Sequence, residues 1–259
     1  MRSWKEAFLY RDLVRALVAR DLKVRYRRSA IGFLWTMLQP LLTMLVLQLV
    51  FSKIFGSSLA NSNYPVYALS GILFWNFFSQ CIVASMNSLR GNAQLLQKLP
   101  VPKAVFPIAT VISGVVNLVF ALIPLFGLLL VSGHPLTFSL LFLPVSILLA
   151  ALFTLGAGLL LSPLAVFFSD VVELIGVLLT LLMYLTPVIY PEAIIPPHLR
   201  WVVHYNPLRS ILEVFRDPIY NSKVPPLSHL SVSIAVAALA FALGSWVFRR
   251  SSDRIPFYI

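Results

Sequence analysis

The side chains able to do covalent chemistry are few in this sequence, and their placement excludes most of it. Asp170 and Glu173 stand three residues apart, a spacing that would suit acid–base work, but no histidine, cysteine or third carboxylate stands near them. The four histidines, His134, His198, His204 and His229, have no partner at metal-ligand spacing. Cys81 is alone in an apolar run, which leaves neither a disulfide framework nor a Cys-rich metal site. G-x-x-x-x-G-K-[ST], H-E-x-x-H and G-x-S-x-G are all absent. The chain is therefore read as a non-enzyme that binds no cofactor of its own. Two non-covalent patterns remain. One is a run of cations, Arg15, Arg20, Lys23, Arg25, Arg27 and Arg28, suited to acidic phosphate groups. The other is an uncharged stripe of amides, Asn76, Gln80 and Asn87, which share a helical face with Val83. Amides so placed hydrogen-bond either a hydroxyl-rich ligand or a neighbouring helix.

The elements that must position these residues are membrane helices. The chain is 59% hydrophobic and 11% charged, with a mean hydropathy of +0.89, where soluble domains keep roughly a quarter of their residues charged. The net charge of +11 does not mark a nucleic-acid surface, because nine of the twenty cations crowd into Met1–Ala30. Directly after them, Ser29 to Ser52 is free of charge for 24 residues, enough to cross a bilayer core that takes about 20. Lys and Arg beside a span hold their side in the cytoplasm, so the first span runs outward. No cleavable signal peptide is visible.

Before that span, Leu9, Tyr10, Leu13, Val14 and Leu17 recur at helical spacing, with Arg11, Asp12 and Arg15 opposite. This predicts an amphipathic helix lying in the membrane surface or docked on protein. Pro40 should kink span one. Span two is expected over about Val66–Met86, spans three and four near Val105–Val131 and Phe138–Phe167 with Gly133-His134-Pro135 turning between them, span five over about Val171–Tyr190 and span six over about Ser231–Phe248. Thr110, Gly114 and Asn117 form a second stripe, on span three, suited to close helix packing. Between spans two and three, N-A-Q-L-L-Q-K-L reads as a short helix stopped by Pro100 and Pro102.

The segment from Pro191 to Pro226 is expected to hold two short helices dipping back into the outer side of the membrane. One covers Pro197–Tyr205; the other starts on Asn206 as N-cap with Pro207 in the first turn and runs to Arg216. On it Glu213 can pair with Arg209 or Arg216, and Trp201, Leu208, Ile211, Leu212 and Phe215 are too apolar for free solvent. The expectation is a single all-α integral membrane domain: a cytoplasmic interfacial helix in 1–30, spans one to five in 31–190, outer helices in 191–226, and span six with a cytoplasmic tail in 227–259. Fifteen cations then lie inside and five outside, the asymmetry that cytoplasmic termini require. No ionisable residue sits deep in a span, so a proton- or ion-coupled transporter is not expected and energy must come from a partner.

R-D-L-K-V-R-Y at Arg20–Tyr26, Leu34-Trp35 with Pro40, Gly71 with Trp75 to Phe78, Lys98–Pro107, Pro187-Val188-Ile189-Tyr190, Asn206-Pro207, Arg216 and the Tyr258-containing tail together resemble one family. It is the permease subunit of ABC exporters that move lipid-linked O-antigen, capsular polysaccharide or wall teichoic acid. The resemblance covers essentially the whole chain. It departs at Ser169-Asp170, where the family commonly has Arg-Asp, and at Val101–Ala104, V-P-K-A for the usual F-P-R-E. It implies a homodimer in the bacterial cytoplasmic membrane, two separate ATP-binding cassette subunits carrying ATP and Mg, and a lipid-linked polysaccharide cargo among membrane lipids, with no nucleic acid.

Under that resemblance, Trp75, Asn76, Phe78, Gln80, Asn87, Tyr184 and Tyr190 are candidates for the sugar path, the aromatics otherwise serving as an interfacial belt. Arg20, Lys23, Arg25, Arg27 and Arg28 are candidates for holding the pyrophosphate of a lipid carrier at the cytoplasmic entrance. Leu95, Leu96, Lys98 and Leu99 are candidates for coupling, the leucines docking in a groove of the ATPase. Trp201, Asn206, Pro207, Arg209, Glu213 and Arg216 belong to the outer gate helices. A permease of the same fold exporting a drug or lipid, and a polytopic membrane enzyme acting on lipid-linked sugars, are the alternatives.

Overall fold

The computed structural model describes residues 10–26, 32–55, 63–98 and 101–258, and within them every regular element is helical. In hydrocarbon a backbone must satisfy its own polar groups, and a helix does so locally. The helices are α1 (Arg11–Tyr26), α2 (Trp35–Phe55), α3 (Tyr64–Ser88), α4 (Ala93–Lys98), α5 (Val105–Val131), α6 (Leu143–Phe167, led by a 3-10 turn at Phe138–Phe142), α7 (Val171–Leu185), α8 (Arg200–His204), α9 (Pro207–Arg216) and α10 (Leu227–Ser252). Among the described residues five are long and apolar enough to cross a membrane: α2, α3, α5, α6 with its leading turn, and α10.

The expected turn between spans three and four forms at Gly133, whose φ of 66° lets the chain reverse. Its N–H bonds Leu130 O at 3.3 Å, and the His134 N–H bonds Leu129 O at 3.0 Å, a Schellman pattern that closes α5. Span five differs from expectation. α7 has 15 residues, a rise of about 22 Å against the roughly 30 Å core. Pro187 bars helical geometry at Thr186, which is extended at φ −107°, ψ 135°. The rest of the expected span, Pro187 to Tyr190, is non-helical.

α3 is the axis of the fold. In its most apolar window 78% of residues are buried inside the molecule, against 11% for α2 at the edge. It packs against α2, α5, α6, α7 and α9. A second core forms at the other end of the bundle, where Leu17 of α1 meets Leu89, Phe106, Leu159, Val166, Phe248 and Ile255. α1 is longer than its expected Leu9–Val18 core, and its apolar face docks on protein there, with Leu13, Val14 and Val18 around Leu17.

α6 and α10 make the closest helix pair. A Cβ on Gly244 would strike the Gly156 carbonyl, and one on Gly156 would strike the Ala240–Phe241 peptide. Elsewhere a helical Gly→Ala exchange usually stabilises by about 0.5–1 kcal/mol; here it must push two backbones apart, and overpacking costs about 1–3 kcal/mol. Gly244→Val should therefore lower the melting temperature of the detergent-solubilised protein by several degrees. Gly176→Ala, with nothing within 4 Å of the new methyl, should leave it level or raise it.

Candidate functional site

A cavity of about 850 Å³ opens between the end of α1, the start of α2, α3 and α5. Its walls are formed by the two stripes recognised in the sequence, now facing one space: Asn76, Gln80 and Asn87 of α3, and Thr110, Gly114 and Asn117 of α5. α2 adds Thr36 and Gln39. The two long helices meet behind this wall because Gly114 leaves room for Cys81 Sγ; any Cβ there would collide with it. Some of the polar groups are held by their own helix, with Asn87 Nδ2 donating to Val83 O at 3.0 Å and Thr110 Oγ1 to Phe106 O at 3.0 Å. Such a surface offers hydrogen bonds without net charge.

The aromatic candidates do not join the amides. Trp75 and Phe78 are turned into the core, their ring centroids 5.8 Å apart, with Phe78 stacked on Phe153 of α6 at 5.7 Å. The reason is angular: each residue step turns a helix by about 100°, so Trp75 and Phe78 leave the face that Asn76 occupies. Tyr184 and Tyr190 lie away from the cavity wall. There the Tyr190 hydroxyl donates to Tyr184 O at 2.6 Å, and the Tyr184 ring is exposed.

At the mouth of the cavity, Arg20 is already engaged. Its Nη1 donates to Asn92 Oδ1 at 2.7 Å, and its Nε and Nη2 reach Asp21 Oδ1 at 3.1 and 2.9 Å. The carboxylate partly offsets the charge expected to meet a pyrophosphate. Lys23 is exposed; Arg27, Arg28 and the side chain of Arg25 lie outside the described residues. Leu95 and Leu96 of the expected coupling helix face inward, packed on the Leu17–Leu89–Phe106 core. Both remain half-buried, and α4 exposes Gln94, Gln97 and Lys98 beside them. Leu99 is outside the described residues.

The helix pair α8 and α9 is assembled much as its caps predict. Asn206 Oδ1 accepts from Leu208 N at 3.0 Å, with Pro207 in the first turn. The Asn206 amide nitrogen donates in turn to Thr186 Oγ1 at 2.8 Å, tying α9 to the end of α7. Leu208, Ile211, Leu212 and Phe215 are buried. Trp201 is not: it is 63% exposed on the rim of a second, smaller cavity beside Glu192, Arg200 and Arg209, because α8 is too short to turn both its faces onto protein.

Of the two pairings open to Glu213, the structure takes Arg209, at 2.8 Å. The same guanidinium forks onto Glu192, with Nη2 to Oε2 at 2.9 Å and Nε to Oε1. Burial pushes the Glu213 carboxyl up, to about 7, against the pull of Arg209 and with the push of nearby Glu192. Arg216 points elsewhere. Its Nη1 donates to Pro187 O at 2.8 Å and its Nη2 to Val188 O at 2.7 Å, with the guanidinium carbon 3.9 Å from the centre of the Tyr67 ring.

Tyr64, Tyr67 and Glu192 are the site residues that sequence reading passes over. The Tyr64 hydroxyl donates to Ile189 O at 3.0 Å, and the Tyr67 hydroxyl lies 3.2 Å from Pro187 O and 2.9 Å from Tyr190 O. A signal for them existed: a chain leaving helical geometry between Pro187 and Pro191 needs donors from outside, and two tyrosines one turn apart supply them.

The chain is 31% identical over 250 residues to the O-antigen export system permease protein RfbA of Myxococcus xanthus, covering 96% of this chain and 95% of that one. It is 27% identical to the RfbA of Klebsiella pneumoniae, over 94% and 93% of the two chains. To the polysialic acid transport protein KpsM of Escherichia coli it is 25% identical, over 85% and 86%. Residues 12–220, from the docked helix α1 through α9 to the turn that follows it, match the model of one family, and with this span the protein belongs to the ABC-2 type transporters.

Proposed function

We propose that this chain is the permease half of an ATP-driven exporter that carries a lipid-linked polysaccharide across the bacterial cytoplasmic membrane. The observation that carries the reading is full-length similarity to permeases named for O-antigen export and polysialic acid transport. It is joined in the same sequence by the absence of any phosphate-binding loop. ATP and Mg are bound on a separate cassette subunit, present in two copies against a permease homodimer.

In this reading the membrane is crossed six times. α7 and the extended Pro187–Tyr190 segment make the fifth crossing together, and the chain returns to the outer surface through α8 and α9. Both termini are cytoplasmic, as the excess of Lys and Arg there favours. Chemistry supports the cargo class. A glycan is a chain of hydroxyls, and the amide-walled cavity offers uncharged donors and acceptors that can be exchanged as the chain slides, whereas fixed charges would hold it. Closing a cavity open along one side is a task suited to a second copy.

The function is tested by deleting the gene in its own host. The lipid-linked polymer should accumulate inside the cell and vanish from the surface, and the gene should restore it only together with its ATPase gene. Normal surface polymer in the deletion strain, with altered resistance to a drug or altered lipid distribution, would move the assignment to the non-polysaccharide permeases.

Two further outcomes are expected. In a Cys81→Ala background, Lys223→Cys should react with a membrane-impermeant thiol reagent on intact spheroplasts, while tags at both termini should not be reached from outside. A protected Lys223→Cys that labels only after lysis would invert the topology. Replacing both Asn76 and Gln80 with Leu should lower polymer export at least tenfold while dimer and ATPase assembly, followed by co-purification, persist. Export at the wild-type rate would remove the cavity from the path.

A further inference from the structure

We propose that Arg216 is the positioning residue of the outer helix pair: it latches α9 to the non-helical end of α7, and export requires that latch to open. The side chain is 5% exposed, and among the described residues no carboxylate lies within ion-pair distance of it. The neighbouring Asp217 accepts instead from Asn221 Nδ2, at 2.7 Å. Glu213, one turn back, is taken by Arg209. What compensates the buried charge is two consecutive backbone carbonyls, Pro187 O at 2.8 Å and Val188 O at 2.7 Å, and the face of Tyr67.

The receptor for this guanidinium is built by three features. Thr186 to Tyr190 is non-helical, which frees the carbonyls. Tyr67 both stacks on the cation and hydrogen-bonds the same segment. Gly71, one turn further along α3, leaves the space that the fork occupies, since a Cβ there would strike both Val188 O and Arg216 Nη2. A permanent brace of this kind would be expected to use a carboxylate and to satisfy every donor. Here Nε is buried with no partner, so the closed arrangement leaves one donor unfilled. Both ends of the moving piece have breaks to turn on: Pro191 before α8, and Ser222, at a φ of 54°, after the turn that follows α9.

A gate is a discrete element with two positions, and α9 latched through carbonyls has the construction of one. The gating role rests on the export reading above; the latch itself does not, and the test separates them. Hydrogen exchange on the full permease–ATPase complex in nanodiscs should show peptides over 186–190 and 207–221 exchanging at least tenfold faster in Arg216→Gln than in the wild type. Peptides from α5 and α6 should be unchanged. Arg216→Lys, which keeps the charge but loses the fork, should fall between. Tyr67→Leu, which leaves Arg216 in place, should reproduce the effect in the same two segments. Unaltered exchange in 207–221, or acceleration spread equally through α5 and α6, would overturn the latch. If the latch stands, Arg216→Gln should hydrolyse ATP without cargo faster than the wild type and export less per ATP, with Arg216→Lys partly restoring the ratio. A wild-type ratio in Arg216→Gln would overturn the gating role while leaving the latch.

Discussion

One half of this molecule depends on a single place where the backbone stops being a helix. In hydrocarbon an unpaired carbonyl has no water to turn to, yet Pro187 and Pro191 force the chain out of helical geometry after Leu185. The carbonyls of residues 187–190 are met by Tyr64 and Tyr67 of α3 and by Arg216 of α9. One requirement, satisfying a short run of acceptors, thereby fixes three elements against each other. It also explains why α3 is the most enclosed helix: its first turns provide the donors and its middle carries the packing.

At the other end of the bundle the same economy takes a different form. α1 and α4 cover the apolar ends of α5, α6 and α10 rather than offering their own apolar faces outward. The exposed surface of α4 is polar, Gln94, Gln97 and Lys98, with half-buried Leu95 and Leu96 packed against the second core. That second core also holds Phe106 and Ala109 of α5, and further along the same helix Thr110, Gly114 and Asn117 line the amide cavity.

How much of this was legible in the sequence differs by level. Helix extents were largely readable, and Val105–Val131 and Phe138–Phe167 fall where charge-free length and the Gly133 turn put them. The Asn206 cap and the Glu213–Arg209 pair were readable too, because caps and i, i+4 pairs are local. Facing was not. In a chain apolar on nearly every side, periodicity identifies a stripe but not its neighbour, so Trp75 and Phe78 pass for surface aromatics. Arg216 is the plainest case: its acceptors lie 28 and 29 residues away in sequence, and no rule of spacing connects them.

The two polar features of the structure differ in the kind of group that builds them. The cavity between α2, α3 and α5 is walled with neutral amides, Asn76, Gln80, Asn87 and Asn117. Charge is gathered on and beside α9, in Glu192, Arg209, Glu213 and Arg216, and each of these is committed to a partner within the fold. Committed charges hold a structure in place; neutral amides hold a ligand weakly. The charges are thus gathered at the junction of α7 and α9, and the neutral amides in the cavity between α2, α3 and α5.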